Sequence, residues 1–220
     1  STTATFNLVG TGTWSGNAYR INLVINTSGT ITVSGNVVFS GSGSITYTAG
    51  TVITTGSTIT IPSANFTMST PGVQWNAITV SLNGSTLTIN GGLLLATTMS
   101  ITVGNANFAG AFGFTVGTLT CTGAGFLIVF KAGNTYTVNT ALTFRGTLAL
   151  RQNIQSDTAS SDAFLVLAAA ATQEVTYANG QDINSNGGPT IFPYKPATLT
   201  RTTNWVSLAV PGSIGYGFTS

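Results

Sequence analysis

The sequence predicts an all-β chain wound as a parallel β-solenoid, or β-helix, with about 21 residues and three short strands per turn and a less regular C-terminal part. Three observations lead there. Hydrophobic side chains recur at a fixed step, branched and aromatic residues alternate with Thr and Ser, and Gly, Asn and Ser break the runs at near-regular intervals.

The step is clearest in Ile45, Phe66, Leu87, Phe108, Val129 and Leu150, each 21 residues after the last. Tyr47, Met68 and Ile89 keep it too. A second series runs from Val38 through Ile59, Val80 and Ile101 to Leu142, with Cys121 one residue short of its place. A third runs from Ile31 through Val52, Val73 and Leu94 to Tyr136. The series are offset by about seven residues, the length of one short strand and its turn. Three strands per period make a three-sided coil whose turns stack ~4.8 Å apart. The series from Ile45 to Leu150 is the expected core ladder, and Thr46, Thr67 and Thr88 are the expected outward residues beside it. The corners fall to "SGSGS", "NGS" and "NGG", where the backbone needs positive φ. A β-sandwich also has short strands at regular spacing, but it does not require a residue-exact repeat.

The domain organisation follows from this register. Residues 1–20 lie outside it; "TATFNLVG" alternates like a strand and is expected to cap the coil or to be donated to a neighbour. Residues 21–150 form the regular coil. Residues 151–220 are expected to continue or cap it irregularly, with the polar stretch 151–162, "RQNIQSDTASSD", inserted as a loop.

The chain of 220 residues is 42% hydrophobic but only 5% charged, where an ordinary domain carries about 25%. Its net charge of +2 comes with no Lys/Arg cluster, which excludes nucleic-acid binding through phosphate neutralisation. Arg20 is the only charged residue in the first 130. The single cysteine, Cys121, forms no internal disulfide, and its alternation with Leu119 marks it as a buried apolar side chain. No apolar run reaches the roughly 18 residues of a membrane-spanning helix. A start at Ser1 without Met is expected of a processed, exported protein.

Chemistry-bearing patterns are few. "DINSNGG" opens like a calcium loop, with Asp182, Asn184 and Asn186 as candidate metal ligands, but Pro193 stands where the bidentate Glu is needed. A polar turn is the preferred reading, and no cofactor is expected. Asp157, Asp162, Glu174 and Asp182 are the only carboxylates. β-Helix polysaccharidases work with paired acids, and Asp157 and Asp162 are close in sequence, but without His or a nucleophile motif the non-enzymatic reading is preferred. Thr-x-Thr pairs such as Thr58/Thr60 resemble those of ice-binding coils. At the 21-residue step they become Thr79/Ser81, Ser100/Thr102 and Cys121/Gly123, so the lattice is expected to decay. Tyr194 and Trp205, in the irregular part, are the candidates for stacking on a glycan or partner.

Residues 175–205, "VTYANGQDINSNGGPTIFPYKPATLTRTTNW", carry a Val-x-Tyr strand, an Asn-rich Gly-Gly turn and a closing Thr-Asn-Trp. This stretch resembles the closing region of bacterial and phage surface proteins with β-helix repeats. The resemblance implies an exported surface or virion protein and carries over no catalytic residue.

The expected function is that of a non-enzymatic structural subunit of an extracellular, self-assembling filament, fibre or surface layer. The expected partners are further copies of the chain, because a neutral, Thr-covered rod with open strand edges invites packing. The alternative is a phage fibre or adhesin module binding surface glycans; a polysaccharide-degrading enzyme and an ice-binding coil are the remaining readings.

Overall fold

The structure, a computed structural model, describes residues 4–18, 21–62, 64–102, 104–196 and 198–208. Its strands in chain order are β1 (Ala4–Leu8), β2 (Gly12–Trp14), β3 (Asn17–Ala18), β4 (Ile21–Val33), β5 (Asn36–Phe39), β6 (Gly43–Ile53) and β7 (Thr58–Ile61). There follow β8 (Phe66–Ser69), β9 (Gln74–Val80), β10 (Thr86–Ile89), β11 (Leu94–Ile101), β12 (Ala106–Gly110), β13 (Phe114–Cys121) and β14 (Leu127–Phe130). The last are β15 (Thr135–Arg145), β16 (Gln152–Ser156), β17 (Ala163–Leu167), β18 (Thr172–Thr176), β19 (Ala178–Gln181), β20 (Ile183–Asn184) and β21 (Leu199–Thr200). No helix occurs among the described residues.

Strands pair in parallel with the strand one turn away, never with the next along the chain, which makes the molecule a β-solenoid of about nine turns. One sheet runs β1-β4-β6-β8-β10-β12-β14-β16-β19-β21, and the other runs β3-β5-β7-β9-β11-β13-β15-β17-β20. The three sides expected from the sequence are present, but two of them share one bent strand. In β11, Leu94 and Ala96 are buried, Thr97 and Thr98 are both exposed, and Met99 and Ile101 are buried again. The two successive outward residues mark the corner, and β9 and β13 break alternation at the same place. Toward the start the long bent strands, β4 and β6, belong to the first sheet; from β9 onward they belong to the second.

The alternation in sequence becomes burial because successive side chains on a strand point to opposite faces. A continuous inward column runs Ile61, Val80, Ile101, Cys121, Phe144 and Val175. Another runs Ile59, Ile78, Met99, Leu119 and Leu142. Successive members of the first column lie 19, 21, 20, 23 and 31 residues apart, so the 21-residue step is an average and not a register.

That drift corrects the core ladder. Phe66, Leu87 and Phe108 do stack in one column. Ile45, although fully buried, pairs with Met68 and not with Phe66. Val129 pairs with outward Asn107 and is half-buried, while Ile128 and Phe130 point inward. Leu150 is 58% exposed in the connection before β16. In the second series, Val38 faces outward between buried Val37 and Phe39.

One segment assignment also changes. Residues 151–162 are not all loop: β16 pairs with β14 and β19, and Gln152, Ile154 and Ser156 point inward. Polar Gln152 is held inside because its amide nitrogen donates to the carbonyls of Cys121, Gly123 and Arg145, at 2.8, 2.9 and 3.0 Å, which would otherwise be left bare where the coil turns. Within residues 1–20, β1 and β2 lie in parallel on β4 of the same chain, so the described part of this segment forms the first turn of the coil.

Candidate functional site: the open end and the charged turns

The two ends of the coil differ. At the start, β1 pairs with β4 and has no partner on its outer edge among the described residues. Phe6 is level with Leu23 and Leu8 with Ile25. Leu23 and Ile25 are fully buried, whereas Phe6 is 55% exposed and Leu8 is half-buried. Inward-register side chains and a row of backbone N–H and C=O groups therefore face solvent at this end. Trp14 packs edge-on against Phe39 at 6.0 Å and closes only part of it.

Charges gather toward the opposite end, and six of them form ion pairs between neighbouring turns. Lys131 meets Asp157 at 3.0 Å, and Arg145 and Arg201 each form two-pronged contacts, with Glu174 and Asp182. Burial raises the Asp157 pKa, but the Ala132 amide, the Lys131 ammonium and the Thr158 hydroxyl outweigh it and hold the group below the usual carboxylate range. The Arg145 guanidinium likewise holds Glu174 low, and Arg201 holds Asp182 low. Asp162 accepts a hydrogen bond from the Asn184 amide at 3.0 Å. A general acid for glycoside cleavage needs its pKa raised. Three of the four carboxylates here are shifted the other way.

The candidate metal ligands do not converge. The Asp182 carboxylate is occupied by Arg201, while the Asn184 side chain accepts from the Asn186 amide at 2.8 Å in an Asx turn and donates to Asp162. No cluster of metal-binding side chains occurs among the described residues. Of the two candidate stacking aromatics, Trp205 is corrected. Trp205 is 6% exposed, and its indole N–H donates to Ser185 at 2.7 Å, which makes it a core residue of the last turn. Tyr194 packs edge-on against Tyr177, and the Lys195 ammonium lies over its ring at 5.0 Å. Trp205 therefore has no free face for a sugar, while Tyr194 remains half-buried.

Two features went unnoticed in the sequence. Outward Thr60, Thr79, Ser100, Thr120 and Thr143 stand in one column over five turns, so the hydroxyl ladder persists where a fixed 21-residue step made it decay. On the first sheet, Asn153 is level with Asn179 and Gln155 with Gln181, and the Asn179 amide donates to Asn153 at 2.9 Å. With Thr198 and Thr200 these side chains line a shallow polar groove. Equal spacing within each strand, at the correct register, is the signal that could have found both.

Cys121 sits in the core column with its thiol pKa pushed up to about 12, chiefly by burial. It is expected to stay unmodified by a thiol reagent in native buffer and to react once per chain in denaturant, followed by absorbance. Rapid native labelling would contradict its place in that column.

The class these features define is a parallel β-solenoid with a neutral wall, a first strand unpaired on its outer edge among the described residues, and later turns joined by ion pairs. Comparison with family models, curated proteins and solved structures found no match.

Proposed function

We propose that the protein is a non-enzymatic structural subunit that assembles end to end into an extracellular filament, fibre or surface layer. The observation that carries this reading is the open first turn, where Phe6 continues a buried column into solvent. Repeat coils need a polar capping turn at each end to remain separate molecules. Among the described residues the first turn presents apolar side chains and an unpaired strand edge, the two features by which strands recruit further chains. The wall supports the same reading: no charged residue lies between Ile21 and Phe130, so like-charge repulsion between copies is weak. The role is mechanical, with parallel ladders and stacked apolar columns giving a stiff rod.

Electron microscopy of the purified chain tests this. Filaments are expected whose axial repeat is near one subunit, roughly 43 Å for about nine turns at ~4.8 Å. A chain that stays monomeric at high concentration in light scattering would overturn the reading. The second reading, a fibre or adhesin module that binds glycans, is favoured by the groove of Asn153, Gln155, Asn179 and Gln181, whose amides match sugar hydroxyls. Glycan binding by a strictly monomeric chain would put it first.

A further inference from the structure

We infer that the groove over β16 and β19 binds an acidic saccharide, with a uronate carboxylate held between Arg151 and Lys195 and neighbouring sugar hydroxyls on the Asn153 and Gln155 amides. This inference rests on the glycan-binding reading and is independent of end-to-end assembly.

Register brings the site together. Asn153 is level with Asn179 and Gln155 with Gln181. Arg151 and Tyr177 come just before the paired Gln152 and Ala178, at the upstream end of the same two strands. Thr176 bridges Tyr194 in the following turn, which sets Lys195 beside Tyr177. Three turns thus place Arg151, Tyr177 and Lys195 in one column at the end of the polar groove. Arg151 is two residues, ~7 Å, from Asn153 along the chain.

Charge singles this column out. Of the five basic residues among those described, Lys131, Arg145 and Arg201 each meet a carboxylate. Arg151 and Lys195 form no ion pair among the described residues and are held by neutral rings. The Arg151 guanidinium carbon and the Lys195 ammonium each lie 5.9 Å from the centre of the Tyr177 ring, and Lys195 is 5.0 Å from that of Tyr194. A ring face orients a cation but leaves its charge unneutralised. One Arg151 terminal nitrogen, Nη1, donates to the Leu148 carbonyl at 3.0 Å, and its Nε is buried with no hydrogen-bond partner among the described residues. Two like charges gathered at one ring, one of them partly shielded from water, favour an anion between them.

The backbone departs from the regular coil to make this column. Among the described residues before Ser160, every positive φ belongs to a glycine. Tyr177 and Lys195 adopt φ of +50° and +51° with full side chains, a conformation such residues seldom take. A ring and an ammonium therefore stand where earlier corners are bare.

The arrangement specifies the ligand class. A planar guanidinium matches a carboxylate, and primary amides donate and accept as sugar hydroxyls do. Only one end of the groove is cationic, so a polyphosphate chain would find no counterpart for its remaining charges.

A glycan array followed by calorimetry tests the site. The array carries neutral oligosaccharides and galacturonate oligomers, and the galacturonate oligomers are expected to be retained. Their methyl esters, which keep the rings and lose the charge, are expected to bind about tenfold more weakly. Lys195→Gln, at an exposed side chain without an ion pair, is expected to weaken the acid by a similar factor and the ester not at all, with an unchanged Tm. Asn153→Ala is expected to weaken acid and ester alike. Arg145→Gln removes the same charge from β15 in the other sheet and is expected to leave binding unchanged. Equal affinity for acid and ester, an equal loss in Arg145→Gln, or tighter binding of a sulfated oligomer would overturn the carboxylate site and leave the glycan-binding reading standing. An array that retains no glycan would remove both.

Discussion

Replacing Phe108 with alanine is expected to lower the unfolding free energy by about 3–5 kcal/mol, read from urea denaturation curves. Phe108 is 1% exposed and sits where two consecutive turns pool their rings. It stacks on Phe130 at 5.4 Å and meets Phe114 edge-on at 5.4 Å, with Tyr136 at 6.2 Å. The neighbours also hold one another, Phe130 and Tyr136 at 4.4 Å and Phe114 and Tyr136 at 4.9 Å. Tyr136 is further fixed because its hydroxyl accepts the Lys131 amide at 2.9 Å. None of these rings can move into the vacated space without losing its other contacts, so the cavity stays open, and the cost falls at the upper end for such a truncation. Because each turn touches only its neighbours, amide exchange is expected to rise most in β10 to β15 and least in β4 to β7. Phe112→Ala, at a side chain 38% exposed, is the control and is expected to stay within about 1 kcal/mol of wild type. A loss below about 1.5 kcal/mol for Phe108→Ala would mean that the aromatic columns do not form a continuous core.

The coil was legible in the sequence because its inward positions are mostly apolar over many turns; its register was not. On a strand both i and i+2 face inward, so a slip of two residues leaves the hydrophobic pattern intact. Ile59 therefore looked like the partner of Val80, though it stacks on Ile78. In "GFLIVF" every residue is apolar, and even a slip of one is invisible, which is how Val129 was read as inward in place of Ile128 and Phe130. The strand β16 was hidden for the opposite reason. Gln152 and Ser156 are polar yet face inward, and only the carbonyls that Gln152 meets at a corner explain why. The open end was half-legible: alternation in "TATFNLVG" marked a strand, but its own-chain partner lies only 17 residues on, at the Ala4–Ile21 pair, short of the average step. The ion pairs were illegible, since Arg145 and Glu174 meet across an irregular turn 29 residues long.

Gly110→Ala is the second change expected to be severe, at about 3–5 kcal/mol, from backbone strain and a steric clash acting together. Gly110 ends β12 with φ of +101° and lies level with Ile89 in the turn before it. A methyl group there would overlap the Ile89 carbonyl oxygen and come within 2.7 Å of the Ile89 nitrogen. Both are backbone atoms held in the parallel ladder, so no side-chain rotation relieves the overlap, and the two turns must separate. Gly133→Ala isolates the other contribution. Gly133 also has positive φ, +79°, but an added methyl group meets nothing within 4 Å, so strain alone remains, at about 1–2 kcal/mol. The two variants, compared by thermal and urea unfolding, separate the close approach of turns from the conformation of the corner. Equal losses at both sites would refute the steric argument. If the larger loss falls at Gly110, the spacing of turns is set by backbone contact at the corners. A rod built that way resists bending, and a wedge in one corner would weaken it at that turn.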